Sequence, residues 1–463
     1  MKRKLVSALL SVAMVATLLV GCGGSSDNGG ASGETASEAA SEAAPEAGDE
    51  EASAESAGDS EEAAPVSTDG VNITILNTKS EIQTQWEELA AKYTAETGVG
   101  VEVSVTVGDS PSQDITKRYA SGEVPTIFMG DIQDILMLDE YALDLTNEDW
   151  AKDGGSQYGA TYNGRLIGFP FCIEARGLMY NKTAIEATTG ETFDPTAVKS
   201  LDDLQALLDK LVAGGMEAPV ALNMEDWSLA GHYLTQVYEE QDCTVEGTYT
   251  FTDGLKAGTE DLNTNARFNS LFDTFDLLMK YNMNANDPLA ADYNNNAVCL
   301  AEGDIAFWFN GNWAWAEMKD FAMDDSEYGI MPVPQKDDTN DVTSKLAGGA
   351  SKYCMIDTAY NDEAQQQAAR DFLNWLVYNE GGQDFLVNQC SLVPAFSNIT
   401  LPVTNPMGQS VANYTNQGAL VPGFPELPGD HWKTLGAEMQ KYLGGQCTRE
   451  ELAKAINDYW AAQ

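Results

Sequence analysis

From Val71 onward the spacing of apolar residues switches repeatedly between two periods, and this limits the fold more than any other feature. Val71-Asn72-Ile73-Thr74-Ile75 alternates apolar and polar, as a half-buried strand does. Ile82, Trp86, Leu89 and Tyr93 then recur at three- and four-residue steps, which predicts a helix, and Gly98 stands where such a helix stops. Residues 99–107 alternate again, 112–120 suit a short helix and 124–129 a further strand. The continuing alternation of strand and helix predicts an α/β fold with a mainly parallel sheet. Further amphipathic helices are predicted over 200–211, 365–378 and 448–460, the last opened by the capping-box pattern Thr448-Arg449-Glu450-Glu451.

Charge removes several function classes. The 463 residues hold 25 Lys and Arg against 72 Asp and Glu, a net charge of −47. A nucleic-acid binder needs a basic footprint on phosphate, and docking onto anionic lipid needs the same. Only His232 and His431 are histidines, so there is no HExxH zinc site and little for a His-based triad. The chain has no GxxxxGK[ST], GxGxxG or GxSxG run. No cofactor is expected.

The start of the chain reads as an address. Lys2, Arg3 and Lys4 precede an apolar stretch over 5–20, whose 16 residues fall short of the roughly 20 a membrane helix needs. Leu19-Val20-Gly21-Cys22 looks like a bacterial lipobox. We therefore expect a signal peptide over 1–21 and a lipid, palmitate included, on Cys22. Residues 23–69 consist largely of Gly, Ser, Ala and acidic residues, without aromatics, Lys or Arg. Such a segment buries too little surface to offset chain entropy, and its charges repel, so residues 22–69 read as a lipidated cysteine and a disordered acidic tether. No later stretch is long and apolar enough to span a bilayer, so any membrane-spanning partner is a separate chain. Cys172, Cys243, Cys299, Cys354, Cys390 and Cys447 contain no CxxC, and the nearest pair is 36 positions apart. Isolated buried thiols are the favoured reading for a chain of this size, although an exported protein permits disulfides.

Four stretches, in order, resemble the extracellular solute-binding proteins of ABC importers, and within them the carbohydrate group that includes maltodextrin-binding proteins. The first is Tyr162-Asn163-Gly164-Arg165-Leu166-Ile167-Gly168-Phe169-Pro170, with Glu174 and Leu178-Met179-Tyr180-Asn181-Lys182 after it. The second is Gly303-Asp304-Ile305-Ala306-Phe307-Trp308-Phe309-Asn310-Gly311-Asn312-Trp313-Ala314-Trp315. The third runs from Gly348-Gly349 through Ala368-Ala369-Arg370-Asp371-Phe372-Leu373 to Pro394-Ala395, and the fourth spans 432–460. The resemblance implies a two-lobe periplasmic-binding-protein-like fold crossed three times at a hinge, near 172–177, 331–346 and 390–396. The first lobe would hold 70–174 and 340–392, the second 175–339 and 393–463. A ligand would sit between the lobes, and closure would bury it.

A sugar offers apolar C–H faces to flat rings and hydroxyl edges to carboxylates, amides and cations. The resemblance assigns ring stacking to Trp313, whose family counterpart packs on sugar, and to Trp432, which falls 13 residues before Gly445 as a family Trp does before a Ser-Gly pair. Trp308 and Asn312 lie in the same cluster as Trp313. Trp315 is read as core. Glu174 matches the family's hinge glutamate, with an ion pair to Arg176 as the structural alternative. Asn223-Met224-Glu225-Asp226-Trp227 stands in the place of another binding loop. There Asp226 or Glu225 would accept hydroxyls and Trp227 would stack. His232 is left out, because a lone histidine is more often structural. The chain departs from its relatives at Thr126-Ile127-Phe128-Met129-Gly130-Asp131, where a Trp and an Asp–Arg pair are missing, and at Asn77-Thr78-Lys79, where an acid is missing. Asp131 and Lys79 remain candidates, and maltose itself is put in question.

The expected function is that of a lipid-anchored, monomeric binding protein without catalysis. It would present a neutral oligosaccharide to ABC permease subunits at the outer face of the cytoplasmic membrane. Two other readings stand beside it. One keeps the importer role with a peptide or polyamine ligand, which an acidic surface would attract. The other is a secreted glycoside hydrolase with paired carboxylates, which no motif marks. Asp337-Asp338-Thr339-Asn340-Asp341 lacks the glycine and distant Glu of an EF-hand and reads as a polar loop.

Overall fold

The computed structural model describes residue 68, residues 70–107 and residues 111–463. The expected signal peptide, Cys22 and nearly all of the expected tether lie outside the described residues. Ten strands form one sheet: β1 (Asn72–Asn77), β2 (Gly100–Val105), β3 (Ile127–Gly130), β4 (Ala160–Tyr162), β5 (Arg165–Asn181), β6 (Val220–Ala221), β7 (Phe307–Gly311), β8 (Tyr328–Met331), β9 (Leu346–Ile356) and β10 (Leu420–Pro422). Their order is β2-β1-β3-β9-β5-β7-β6, with β10 on β9 and both β4 and β8 on β5.

The helices form where spacing and caps predict them. Gln83–Thr97 buries Trp86, Leu89 and Tyr93, and Gly98 ends it in the left-handed region at φ 79°. Leu201–Ala213 starts at a capping box made by Ser200 and Asp203. Arg449–Trp460 starts at the one made by Thr448 and Glu451.

The sheet is not mainly parallel. Parallel pairs occur at its flanks, as β2-β1-β3 and β7-β6, and where β10 lies on β9. The connections between the flanking strands include helices, as parallel pairing requires. Between the flanks, β9 runs antiparallel to β3 and β5, and β5 runs antiparallel to β7 and β8. The two longest strands thus join the parallel flank β2-β1-β3 to the flank β7-β6.

Apolar packing follows the pleat. Leu178 and Tyr180 of β5, with Phe307 and Phe309 of β7, enter one core; Met179 and Trp308, between them, enter the other. Successive residues of a strand face opposite sides, so a run buried on both faces supplies two cores at once. Where β5 meets β9, the register shifts on both sides of Cys172, so that Phe171 and Ser351 have no direct partner. All six described cysteines are free; Cys172, Cys354 and Cys390 are buried, and Cys243, Cys299 and Cys447 are half-buried. Among the described residues no helix is long and apolar enough to cross a membrane. Likewise, no group of His, Cys, Asp and Glu among them is placed to hold a metal ion.

Candidate functional site

The irregularity between β5 and β9 places the first charged group. A bulge re-aims side chains that a regular ladder would alternate. Here it brings Ser351 beside Glu174, and the Ser351 hydroxyl donates to Glu174 Oε2. Glu174 Oε1 accepts from Lys79 Nζ at 2.7 Å, and Lys79 also faces Glu81 at 2.8 Å. The Lys79 backbone is held by Asn77, whose side chain accepts from the Lys79 N–H at 2.9 Å and donates to its carbonyl at 2.8 Å. Burial works against the Lys79 ammonium, but Glu174 and Glu81 outweigh it and hold the group well above its usual range. A second pair stands close by. Asp131 caps the helix Ile132–Met137 and accepts from Lys352 Nζ at 2.5 Å. Burial, and then the Asp131 charge, push the neighbouring Asp134 up to about 6.

A cluster of rings lines the same space as these pairs. Trp227 and His232 come from the turn of π-helix Trp227–Tyr233, Trp313 from the turn after β7, and Trp432 from the helix His431–Leu443. His232 lies at their centre. Its ring centroid is 4.8 Å from Trp313, 5.2 Å from Trp227, 5.8 Å from Phe424 and 6.3 Å from Trp432. Burial, then Arg176 and Lys352, lower the His232 pKa well below its usual value, so the imidazole is neutral. Two glycines allow the rings to lie this close. A Cβ on Gly231 would stand 2.7 Å from the Trp432 indole, and one on Gly311 would stand 2.1 Å from Trp313.

Arg176 secures the wall from behind. It is fully buried, donates to the His232 carbonyl at 2.9 Å and to Thr235 Oγ1 at 2.8 Å, and pairs with Glu239 at 2.5 Å. Its guanidinium lies 4.7 Å from the Phe424 ring. The Glu174–Arg176 ion pair that adjacency in sequence suggests is therefore absent. Glu174 finds its cation on the loop after β1, and Arg176 finds its anion on the helix Thr235–Glu239.

Between the charge pairs and the rings lies a cleft of about 390 Å³. Trp313, Trp432, Trp227, Glu174, Asp131 and Lys79 all line it. Trp308, Asp226, Glu225 and Asn312 do not. Trp308 is fully buried and donates its indole N–H to Asn223 Oδ1 at 2.8 Å, because the pleat turns it into the core. Asp226 is turned back to accept from the Trp227 N–H at 2.7 Å. Asn312 Oδ1 accepts from the Ala175 N–H at 2.9 Å, and Asn312 faces a separate small pocket that shares Lys79, Glu174 and Trp313. Sequence reading missed Ser351, Lys352, Tyr293, Phe424, Glu317 and His232, which line the cleft. The only available signal was the place of His232 on the same segment as Trp227.

A family model described as bacterial extracellular solute-binding protein matches residues 88–415. Similar solved structures include the solute-binding protein RafE in complex with raffinose (18% identity, covering 85% of this chain and 99% of that chain, TM-score 0.66). A chitin oligosaccharide binding protein matches at 21% identity over 85% of this chain and 98% of that chain, TM-score 0.64. A sugar transporter from Bacillus licheniformis, in complex with stachyose, matches at 17% identity over 85% of this chain and 100% of that chain, TM-score 0.64. At these identities the likeness is one of fold, a two-lobe α/β architecture.

Proposed function

We propose that this chain, which belongs to the bacterial extracellular solute-binding proteins, captures a neutral oligosaccharide in the cleft and delivers it to the permease of an ABC importer. The observation that carries the ligand class is the pairing of two unlike walls. Trp227, Trp313 and Trp432 offer flat apolar faces, while Glu174, Lys79, Asp131 and Lys352 offer acceptors and donors in the same cleft. Sugar C–H faces suit the first wall and hydroxyl edges the second. The raffinose, chitin oligosaccharide and stachyose bound by the similar proteins agree with this class without naming the ligand here. A cationic ligand is less well served, because Glu174, Glu81 and Asp131 already face lysines.

Binding is then the whole of the chemistry. The ligand is held between lobes, and hinge closure around it produces the form a transporter reads. A monomer anchored through a lipid on Cys22, with residues 22–69 as tether, belongs to the same proposal. Contacts of this kind support a micromolar affinity, about −8 kcal/mol.

Calorimetric titration of the full chain against malto-, raffinose-, fructo-, xylo-, manno- and chito-oligosaccharides tests the reading, with a peptide and a polyamine as controls. Heat from one sugar class, with the sugar recovered uncut, is expected. Silence from every sugar with heat from a control overturns the ligand class. Trp313→Ala should weaken binding by about 1–3 kcal/mol if its ring is a platform. Unchanged affinity in the folded variant removes Trp313 from the site.

A further inference from the structure

The cleft shares part of its wall with a second space. Ile132, Phe424 and Pro425 line it and also line a second chamber of about 480 Å³. Tyr158, Tyr249 and Tyr353 face that chamber, and its floor is Gly348, Gly349 and Ala350 of β9. The two spaces therefore share a wall at Ile132, Phe424 and Pro425. The chamber repeats the chemistry of the cleft in a milder form. Tyrosine offers a ring face and a polar tip together, which suits a sugar unit partly in water. Val245 stands at the rim, 56% exposed. Gln157 is exposed beside the chamber, with no hydrogen bond to its side chain.

Phe424 separates the two spaces at a backbone cost. Its φ of 59° lies in the left-handed region, which a bulky side chain avoids. Contacts hold it there: the Arg176 guanidinium on its ring and His232 at its edge. Pro425 follows and fixes the chain beyond. The ring is thus a fixed divider between the two chambers.

We infer that the second chamber is the far part of the ligand site. It takes the distal units of an oligosaccharide whose first units lie against Trp313 and Trp432, and Phe424 is the ring over which the chain passes. This inference rests on the oligosaccharide reading and adds that the protein selects by chain length. Gly349 offers a way to test it. A Cβ there meets nothing closer than the Gly423 carbonyl at 3.5 Å, and its φ is not positive, so the backbone accepts a side chain at this lining position.

The test is titration of the full chain with each of these homologous series, from disaccharide to pentasaccharide. Wild type, Gly349→Leu and Tyr249→Ala are compared, with circular dichroism to establish folding. In wild type, affinity should rise about tenfold or more as the added units reach the second chamber. Gly349→Leu and Tyr249→Ala should remove most of that rise and leave the shortest binding sugar within about twofold of wild type. Because Val245 is exposed, Val245→Trp can fill the rim without touching a core. It serves as the filling variant if Gly349→Leu fails to fold, and it should cut the rise in the same way. Short sugars binding with no rise, or a rise that survives filling, overturns the inference and leaves the oligosaccharide reading intact. Silence across every series overturns both.

Discussion

Lys79 and Glu174 stand 95 positions apart in sequence and meet at 2.7 Å with both side chains nearly buried. Such a pair contributes little net stability against well-packed apolar residues, yet removing one partner leaves a charge stranded. Lys79→Met should therefore cost about 3–5 kcal/mol in urea unfolding, and the double variant Lys79→Met/Glu174→Gln should recover part of that loss. A single variant within about 0.5 kcal/mol of wild type would show that the carboxylate finds other partners. The pair also explains why Lys79 and Glu174 were legible only as separate candidates. Residue type marks each as a possible hydrogen-bonding group, but their meeting depends on the loop after β1 reaching β5. The seryl and lysyl groups that complete this corner, Ser351 and Lys352, carry no local signal. The bulge that turns Ser351 toward Glu174 is a property of two strands together.

At the scale of elements, the turn Trp227–Tyr233 and the helix His431–Leu443 act as one unit, because Gly231 lets the Trp432 indole rest on the turn. Gly231→Ala places a methyl where the indole lies. It should destabilise the protein by about 1–3 kcal/mol and, by displacing Trp432, weaken ligand binding by about tenfold. Denaturation with calorimetric titration checks both, and unchanged binding would mean that Trp432 is not a platform. The amphipathic helices were easy to read, since Leu204, Leu208 and Leu211 are buried where their spacing puts them. β5 was not. Nearly all of its 17 residues are buried, so no alternation marks its faces or its partners. The alternation of strand and helix points to parallel pairing and carries no mark of the antiparallel centre, and Trp308, on a strand buried on both faces, carries no local mark of which way the pleat turns it.

For the whole molecule, the two histidines set part of the response to acid. His431 is fully buried, and burial lowers its pKa to about 3. Above the unfolded value of about 6.5 it is neutral in both states and stability does not depend on it. As pH falls below that value, the unfolded chain takes a proton that the folded chain refuses, and stability is lost. His431 should thus cost about 2 kcal/mol between pH 7 and pH 5. Glu240 runs the other way: burial pushes it up to about 7, so the folded state takes its proton first as pH falls. The measurement is therefore a difference, with unfolding of wild type and His431→Phe compared across pH 5–7. Equal slopes would rule out the histidine as a source of acid sensitivity. The long strands β5 and β9 have a consequence of another kind. Both flanks of the sheet lean on the same two segments, so no single cut between β5 and β9 releases a self-sufficient half. A fragment ending inside either strand would carry a bare, hydrogen-bond-hungry edge and would regain its shape only by taking back the missing strand.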